Sequence, residues 1–490
     1  MSVAHTELRE MAFQMRQSEL RQIGQDILSK NPERVAAKEV LDLMATLISC
    51  DFEAAEATLA LLEFKFKDTK DEQYVAQAIL LARIHIDFAF GRFEELEETA
   101  NAYLSIHKGN PDIEAGEYLD VLRILAQKYL IMDEYEKLRF IDDEVLIYKH
   151  EDNSPNILYL INSIRSMRLL ADGEFIEAKQ IAKLNLQIAN QHKYKGLMAP
   201  IESEYVVATC MMAMGKRDIC LSMYIKIKED AQELHIWPWH LIASGYISRN
   251  HAHKAKFAEA LAIVREEREL LDSFNFKHEL DFIPDVDELY VRFLVGDQER
   301  MDVLFSRVPK LAIVEQIHAF QRELNGEDLL AYINELPEKS SRDKVFKNVA
   351  LAEYYKEKES VSVDYMEQAL KAAENSGATE IFLRQYHLTE IILKAASKSA
   401  TVFSEELAAK MAERVKQKEL QNKDGALGIL TSRELEVIRH LSTGKTISSI
   451  AETLHISMNT IKTHLKNTYR KLNVDGREAA VEKAKELLII

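Results

Sequence analysis

The first chemistry that the sequence suggests comes from "GKT", which begins at Gly444 and matches the end of the loop that binds nucleotide phosphates. That loop needs a glycine at position 439, because its backbone amides must wrap the phosphates, and Arg439 stands there. A strand should also precede the loop, whereas Leu435, Ile438 and Leu441 have the spacing of a helix. The sequence therefore predicts no nucleotide site here.

Residues that could bind a metal or perform catalysis are not arranged to do so. Cys50, Cys210 and Cys220 are isolated and include no CxxC pair, so we expect buried free thiols. His251 and His253 are two residues apart, which on a helix points them away from each other. No HExxH, DxDxG or GxSxG motif occurs in the sequence. We therefore expect no enzymatic activity, no metal and no cofactor.

The charge of the chain is unevenly distributed. The net charge is −17, but residues 425–490 have ten Lys and Arg against seven Asp and Glu, a net of +3. Residues 1–424 have 53 basic and 73 acidic residues, a net of −20. Such an asymmetry suggests that the C-terminal end contacts nucleic acid.

A short aromatic–acidic phrase recurs along the acidic part of the chain. Its aromatic residues are 41, 42, 40 and then 82 residues apart, and Arg217 marks the skipped position. They are Phe52, Phe93, Tyr135, Phe175 and Phe257. An amphipathic segment lies on each side of the phrase, so each unit is a helix pair that must stack on its neighbours. We predict an all-α protein, an α-solenoid of tetratricopeptide-like pairs followed by a four-helix domain.

The predicted domains are the repeats at 1–420, a polar linker at 421–428 and a C-terminal domain at 429–490. After Gly296 the repeat spacing shortens, so its boundaries there are less regular. No stretch approaches 18 uninterrupted apolar residues, and the first residues do not resemble a signal peptide. We expect a soluble, cytoplasmic protein without a membrane segment.

The repeats are expected to bind a peptide, a protein or a small molecule in their groove. Six candidates for this effector groove are Asn162, Arg165, Arg168, Asn185, Trp237 and Trp239. Two simpler interpretations remain open. The tryptophans could fill a joint between repeats, and the polar residues could form a solvated face.

Residues 429–490 have the signals of four helices. Thr431 begins a capping box, Gly444 suits a helix end, and Thr446 can cap a second helix. A three-residue turn then leads to Ser457, the predicted cap of a third helix that continues to about Leu472. Asp475 and Glu478 mark the start of the fourth helix, which is predicted to begin at Arg477.

The third predicted helix has two distinct sides. Ile461, Leu465, Thr468 and Leu472 fall within about 60° and must face the core. The adjacent side has cations and no acidic residue, as the second helix of a helix-turn-helix requires. The candidates for base contacts are Asn459, Lys462, Thr463 and Lys466, and those for phosphate contacts are Ser457, Thr460, Arg470 and Lys471.

The segment "LTSRELEVIRHLSTGKTISSIAETLHISMNTIKTHLKNTYRKLNVDGREAAV" resembles the LuxR-type helix-turn-helix family over about the last 60 residues. The matching features are the "LTxRExEV" start, the "TIKTHL" phrase and the close "KL.V..R..AV". Thr468, where isoleucine is usual, and Gly476, where serine is usual, depart from the family pattern. The resemblance implies that Lys462, Thr463 and Lys466 read bases.

The same resemblance implies a bacterial transcription regulator that binds double-stranded DNA, with RNA polymerase as a further partner. It also implies a homodimer, paired through Val481, Ala484 and Leu488 of the last helix or through the solenoid. The repeats joined to such a domain resemble the maltose-regulator class of activators, in which repeats sense an effector. In that class an N-terminal nucleotide-binding module switches the assembly. Here residues 1–40 already have the pattern of helices and not of such a module, so we expect control through the repeats or a partner.

The sequence leaves two other functions open. A solenoid scaffold that grips a protein, with incidental DNA binding, would be indicated by a tight protein partner and no DNA binding. An enzyme such as an ATPase is opposed by Arg439 and by the missing catalytic motifs.

Overall fold

A computed structural model of the chain describes residues 17–107, 115–146, 154–254, 256–324, 329–424, 432–442, 445–454, 456–472 and 474–486. The regular elements in these ranges are helices, and no strand occurs among them. The predicted all-α class is therefore confirmed.

The first twelve α-helices contain the regular repeats. They are α1 (Gln17–Lys30), α2 (Val35–Ile48), α3 (Phe52–Phe66), α4 (Glu72–Phe90), α5 (Phe93–His107), α6 (Ala115–Ile131), α7 (Tyr135–Val145), α8 (Pro155–Ala171), α9 (Phe175–His192), α10 (Ile201–Ala213), α11 (Arg217–Glu233) and α12 (Trp237–His253). A short 3₁₀ helix, Gly196–Met198, precedes α10.

Fourteen further α-helices follow in the described residues. They are α13 (Phe257–Asp272), α14 (Phe282–Val295), α15 (Gln298–Phe305), α16 (Ala312–Leu324), α17 (Leu329–Glu335), α18 (Ser341–Tyr354), α19 (Glu359–Ser376), α20 (Glu380–Arg384), α21 (Thr389–Ser399), α22 (Val402–Asp424), α23 (Ser432–Ser442), α24 (Ile447–Thr453), α25 (Met458–Leu472) and α26 (Arg477–Glu486). A second 3₁₀ helix, Tyr386–Leu388, lies before α21.

The recurring phrase begins the second helix of each pair. Phe52 is the first residue of α3 and Phe93 the first of α5, and both side chains are buried. Arg217, at the skipped position, likewise opens α11. At α3 the preceding Asp51 caps the helix, because its side chain accepts a hydrogen bond from the amide of Ala54 at 3.2 Å. The sequence prediction of where these helices begin is confirmed.

The pairs stack in the order of the chain. The first helices of successive pairs, α2, α4, α6, α8 and α10, each contact the next one, and each also packs against its own second helix. Small buried side chains such as Ala82 and Ala126 allow this close approach. Contacts of this nearest-neighbour kind define an α-solenoid.

Residues from later parts of the chain form hydrogen bonds with the turns within these helix pairs. The amide of Glu279 donates to the carbonyl of Gly91 at 2.9 Å, and its Oε2 accepts from the amide of Phe93 at 3.1 Å. The amide of Arg342 donates to Asp172 at 3.0 Å. These cross-chain contacts were not predicted, because no local pattern in the sequence encodes them.

The described chain divides into two compact units. One contains the residues up to Ala243 together with Phe274–Leu280 and those described from 329 to Leu407. The other contains Ser244–Ser273, the residues described from Asp281 to 324, and those described from Ala408 onward. The predicted domain boundary stays a prediction: α22 continues through Asp424, inside the predicted linker, and residues 425–431 lie outside the described part.

Replacing Gly91 with alanine should destabilise the first unit. Gly91 ends α4 with φ +71°, and an added Cβ would lie 2.2 Å from a methyl carbon of Leu280. The left-handed backbone alone costs about 1 kcal/mol or more for a residue with a Cβ. We expect a lower melting temperature by circular dichroism.

The matched control is Gly24→Ala. Gly24 lies inside α1, where an added Cβ has its nearest neighbour at 3.5 Å, so alanine should stabilise by about 0.5–1 kcal/mol. A Gly91→Ala chain that melts at or above the wild-type temperature would contradict this account of the turn.

Candidate nucleic-acid interface

Helices α23 to α26 enclose one small apolar core. All four helices contribute side chains to it. For the third helix, the sequence pattern predicted which side chains these are. The buried members of this core are Val437, Ile438, Leu441, Ile450, Ala451, Ile461, Leu465, Leu472, Ala480 and Ala484. Thr468 is also fully buried, and its hydroxyl donates to the carbonyl of His464 at 2.8 Å. The hydroxyl is therefore satisfied within its own helix.

Side-chain caps position the two helices of the motif. The Thr446 hydroxyl accepts from the amide of Ser449 at 3.2 Å and starts α24. The Ser457 hydroxyl accepts from the amide of Thr460 at 3.1 Å and starts α25. Both predicted caps are confirmed, while Thr431, Gly444 and His455 lie outside the described residues. α24 ends at Thr453, and the amide of Ile456 donates to the carbonyl of Ala451.

The last helix, α26, begins at Arg477, where the sequence predicts its start. The carbonyl of Gly476 accepts from the amide of Ala480 at 2.9 Å. Ala484 of this helix is fully buried in the core, so it is not available at the surface for pairing two chains. Val481 packs against the same core, and Leu488 lies outside the described residues.

The predicted base-contacting residues form one exposed side of α25. Asn459, Lys462, Thr463 and Lys466 are all exposed, while Ile461 and Leu465 of the same helix are buried. The Thr463 hydroxyl donates to the carbonyl of Asn459 at 2.9 Å. α25 has no acidic residue, so this side has a positive field with no internal counter-charge on the helix.

The predicted phosphate contacts are less uniform. Ser457, Thr460 and Arg470 are exposed, and the first two hydroxyls are 2.7 Å apart. Lys471 is only 24% exposed, and its ammonium donates to Oε2 of buried Glu434 at 2.7 Å. Its phosphate contact stays a prediction, and it would have to compete with this ion pair.

Two arginines hold the motif together in a way that the sequence did not reveal. Arg433 of α23 donates to the carbonyl of Leu454 at 2.5 Å, close to the turn between α24 and α25. Arg477 donates to the carbonyl of Leu441 at 2.9 Å, at the end of α23. These guanidinium groups satisfy carbonyls at two helix ends, which otherwise lack partners within their helices.

The six groove candidates in the repeats are not brought together in one site. Arg165 lies 3.7 Å from Glu177, and Arg168 donates to Asp142 at 2.9 Å and to Asp172 at 3.0 Å. These arginines therefore have nearby carboxylates as partners.

The other candidates are mostly internal. Asn185 is buried and donates to Ser163 at 2.8 Å, while Asn162 is half-buried. Trp237 is half-buried with its ring 4.9 Å from that of Phe274, and Trp239 is buried.

The described residues offer little other chemistry. The three cysteines are buried and free, as expected, and burial raises the pKa of Cys50 and of Cys210 to about 12. No group of three or more His, Cys, Asp and Glu side chains in the described ranges is arranged to hold a metal ion. Across the same part of the chain, no helix is both long enough and apolar enough to span a bilayer.

Residues 428–484 match the family described as bacterial regulatory proteins of the luxR family. The C-terminal segment is a LuxR-type helix-turn-helix domain. Within this domain, α25 is the second helix of the motif, and its exposed side is the candidate interface.

Curated relatives match a part of the chain. The nitrate/nitrite response regulator protein NarP of Escherichia coli is 38% identical over 88 residues, which are 18% of this chain and 40% of that protein. A nitrate/nitrite response regulator homolog of Haemophilus influenzae is 45% identical over 62 residues, 13% of this chain and 30% of the relative. A probable transcriptional regulatory protein NarL of Mycobacterium tuberculosis is 31% identical over 110 residues, which are 22% of this chain and 49% of that protein. The chain thus spans less than half the length of these relatives.

Replacing Lys471 and Lys466 with alanine should affect stability differently. Lys471→Ala leaves the buried carboxylate of Glu434 without this partner, which should destabilise the domain by about 1–3 kcal/mol. Lys466→Ala removes an exposed cation and should leave stability within about 0.5 kcal/mol. Hydrogen exchange of α23 and α25 in the full-length chain measures both effects. Equal protection in the two variants would show that the ion pair has no structural role.

Proposed function

We propose that the protein is a bacterial DNA-binding transcription regulator, in which α25 of the LuxR-type domain reads the major groove. The observation that carries this proposal is the division of α25 into a buried apolar side and an exposed cationic side without acidic residues. A helix of 15 residues is about 22 Å long and fits the major groove. The named functions of the matched relatives agree with this role.

The residues of α25 have separate roles in this proposal. Lys462 and Lys466 donate to guanine O6 and N7, while Asn459 and Thr463 contact neighbouring bases. Ser457, Thr460 and Arg470 contact phosphates and fix the register without specifying sequence. Lys471 supports the fold through Glu434 and reaches a phosphate only if that ion pair opens.

The long helical part of the chain is the proposed sensor. It binds a peptide, protein or small-molecule effector, whose presence changes how the C-terminal domain engages DNA. A single domain of this size makes few phosphate contacts, so tight binding requires two copies on two half-sites. We infer a homodimer that acts on RNA polymerase at a promoter. Its acidic residues 1–424 should repel unrelated DNA.

The alanine variants of Lys462 and Lys466 should each lose about 1–3 kcal/mol of binding to the selected DNA site, while affinity for unrelated DNA changes little. Fluorescence anisotropy with a labelled site and a scrambled duplex measures this loss. Lys483→Ala provides the matched control, because Lys483 lies on α26, outside the reading side of α25. Wild-type affinity for the site in both α25 variants would refute the assignment of the reading residues.

Arg470→Ala should have a different signature. Loss of a phosphate contact weakens binding to all sequences alike and makes the slope of log K against log salt shallower by about 0.9. Titrations of the wild type and the variant at several salt concentrations give both slopes. A variant that relaxes sequence preference at an unchanged slope would instead place Arg470 against a base.

A further inference from the structure

The first compact unit contains a crevice lined by residues far apart in the sequence. Its apolar walls include the rings of Phe52, Phe88 and Trp239, from α3, α4 and α12. Arg123, Gln127 and Glu202, from α6 and α10, supply polar groups. The crevice has about 370 Å³ of empty space when its open mouth is counted, and its narrow interior admits the centres of water molecules over about 20 Å³.

The polar side of the crevice is a buried charge network. Arg123 is 3% exposed and donates to Asp120 at 2.8 Å and to Glu202 at 3.2 Å. His85 Nε2 lies 3.1 Å from Asp120. Burial alone would raise the pKa of Asp120, but Arg123 and His85 hold it below its usual value. Before His85 is counted, the two carboxylates and the one guanidinium sum to one negative charge.

Two polar atoms of the residues that line the crevice have no hydrogen-bond partner among the described residues. Oε1 of Glu202 accepts from Arg123, Tyr159 and Ser163, whereas its Oε2 accepts no hydrogen bond from any residue that the structure describes. Trp239 donates its indole N–H to the amide oxygen of Gln127 at 2.7 Å, which fixes the orientation of that amide. The Gln127 Nε2 group has no hydrogen-bond acceptor within the described ranges.

A site with a spare carboxylate oxygen and three aromatic walls favours a cation. The carboxylate supplies a charge-assisted hydrogen bond, and ring faces attract a desolvated ammonium. An anion is disfavoured, because the guanidinium of Arg123 already has two carboxylate partners. The narrow interior suits a group of about the size of water, such as –NH₃⁺.

We propose that this crevice binds a small primary amine, with its ammonium against Glu202 and the aromatic walls and its short uncharged body in the mouth. As the identity of the sensor ligand, this inference rests on the proposed function. The site would use Trp239, one of the six groove residues predicted from sequence, and Phe52, an aromatic residue of the recurring phrase.

The position of the crevice suggests how an amine could alter the protein. The ligand would touch α4, α6 and α12 together, and so favour the arrangement in which these helices are close. Trp239, through which the ligand would contact α12, and Ile236, which precedes that helix, both belong to the first compact unit.

Calorimetric titration of the full-length chain with n-butylammonium chloride tests the proposal, with n-butanol as the uncharged comparison. We expect saturable binding of n-butylammonium with a Kd in about the millimolar range, a raised melting temperature, and no comparable effect of n-butanol. No binding of n-butylammonium, or equal binding of n-butanol, would overturn it.

A substitution that fills the crevice locates the binding. Ala199 is half-buried in its lining, and Ala199→Leu should weaken n-butylammonium binding about ten-fold or more at an unchanged melting temperature of the free chain. Ala60→Leu, on the exposed side of α3, is the matched control and should bind like the wild type. Wild-type binding by a folded Ala199→Leu chain would refute the site.

Glu202→Gln tests the charge. It should weaken n-butylammonium binding while keeping a similar shape, and its melting temperature is measured first because Glu202 also partners Arg123. Undiminished binding in a folded Glu202→Gln chain would contradict the role of the carboxylate. None of these titrations contains DNA, so they test the amine site independently of the proposed DNA binding.

Discussion

The constraint on which the structure depends is that no helix pair of the repeats can cover its own apolar face. Each first helix must therefore contact the next, and the small residues Ala82 and Ala126 let them approach closely. This stacking places side chains from distant pairs side by side, so Arg123 of α6 meets Glu202 of α10. The buried charge network and the crevice beside it are consequences of the stacking.

The need to bury an apolar side also determines the orientation of α25. Its cationic side is exposed because its apolar side packs into a core shared by four helices, with Ile461 fully buried. The caps at Thr446 and Ser457 fix where α24 and α25 begin, and so fix which residues face outward. A slip of one residue would rotate α25 by about 100° and turn its cations away from the exposed side.

Local patterns predicted much of this fold. The recurring phrase located the starts of helices such as α3 and α5, and the three-residue spacing in α25 predicted its buried side, because both signals lie within one helix. Contacts between distant residues could not be predicted in this way. Trp239 and Gln127 are 112 residues apart, and Lys471 and Glu434 are 37 apart, so nothing local marks either pair. For the same reason no sequence pattern marks the crevice, although Trp239 is one of the predicted groove residues.

We propose that the C-terminal domain reads a DNA sequence under the control of the repeats. The most direct test of this proposal is selection of bound fragments from a random DNA pool by the full-length chain, beside a piece of residues 425–490. The account predicts that the piece enriches one motif, and that the full-length chain enriches the same motif or does so only with its effector. Failure of both proteins to enrich any motif would contradict it.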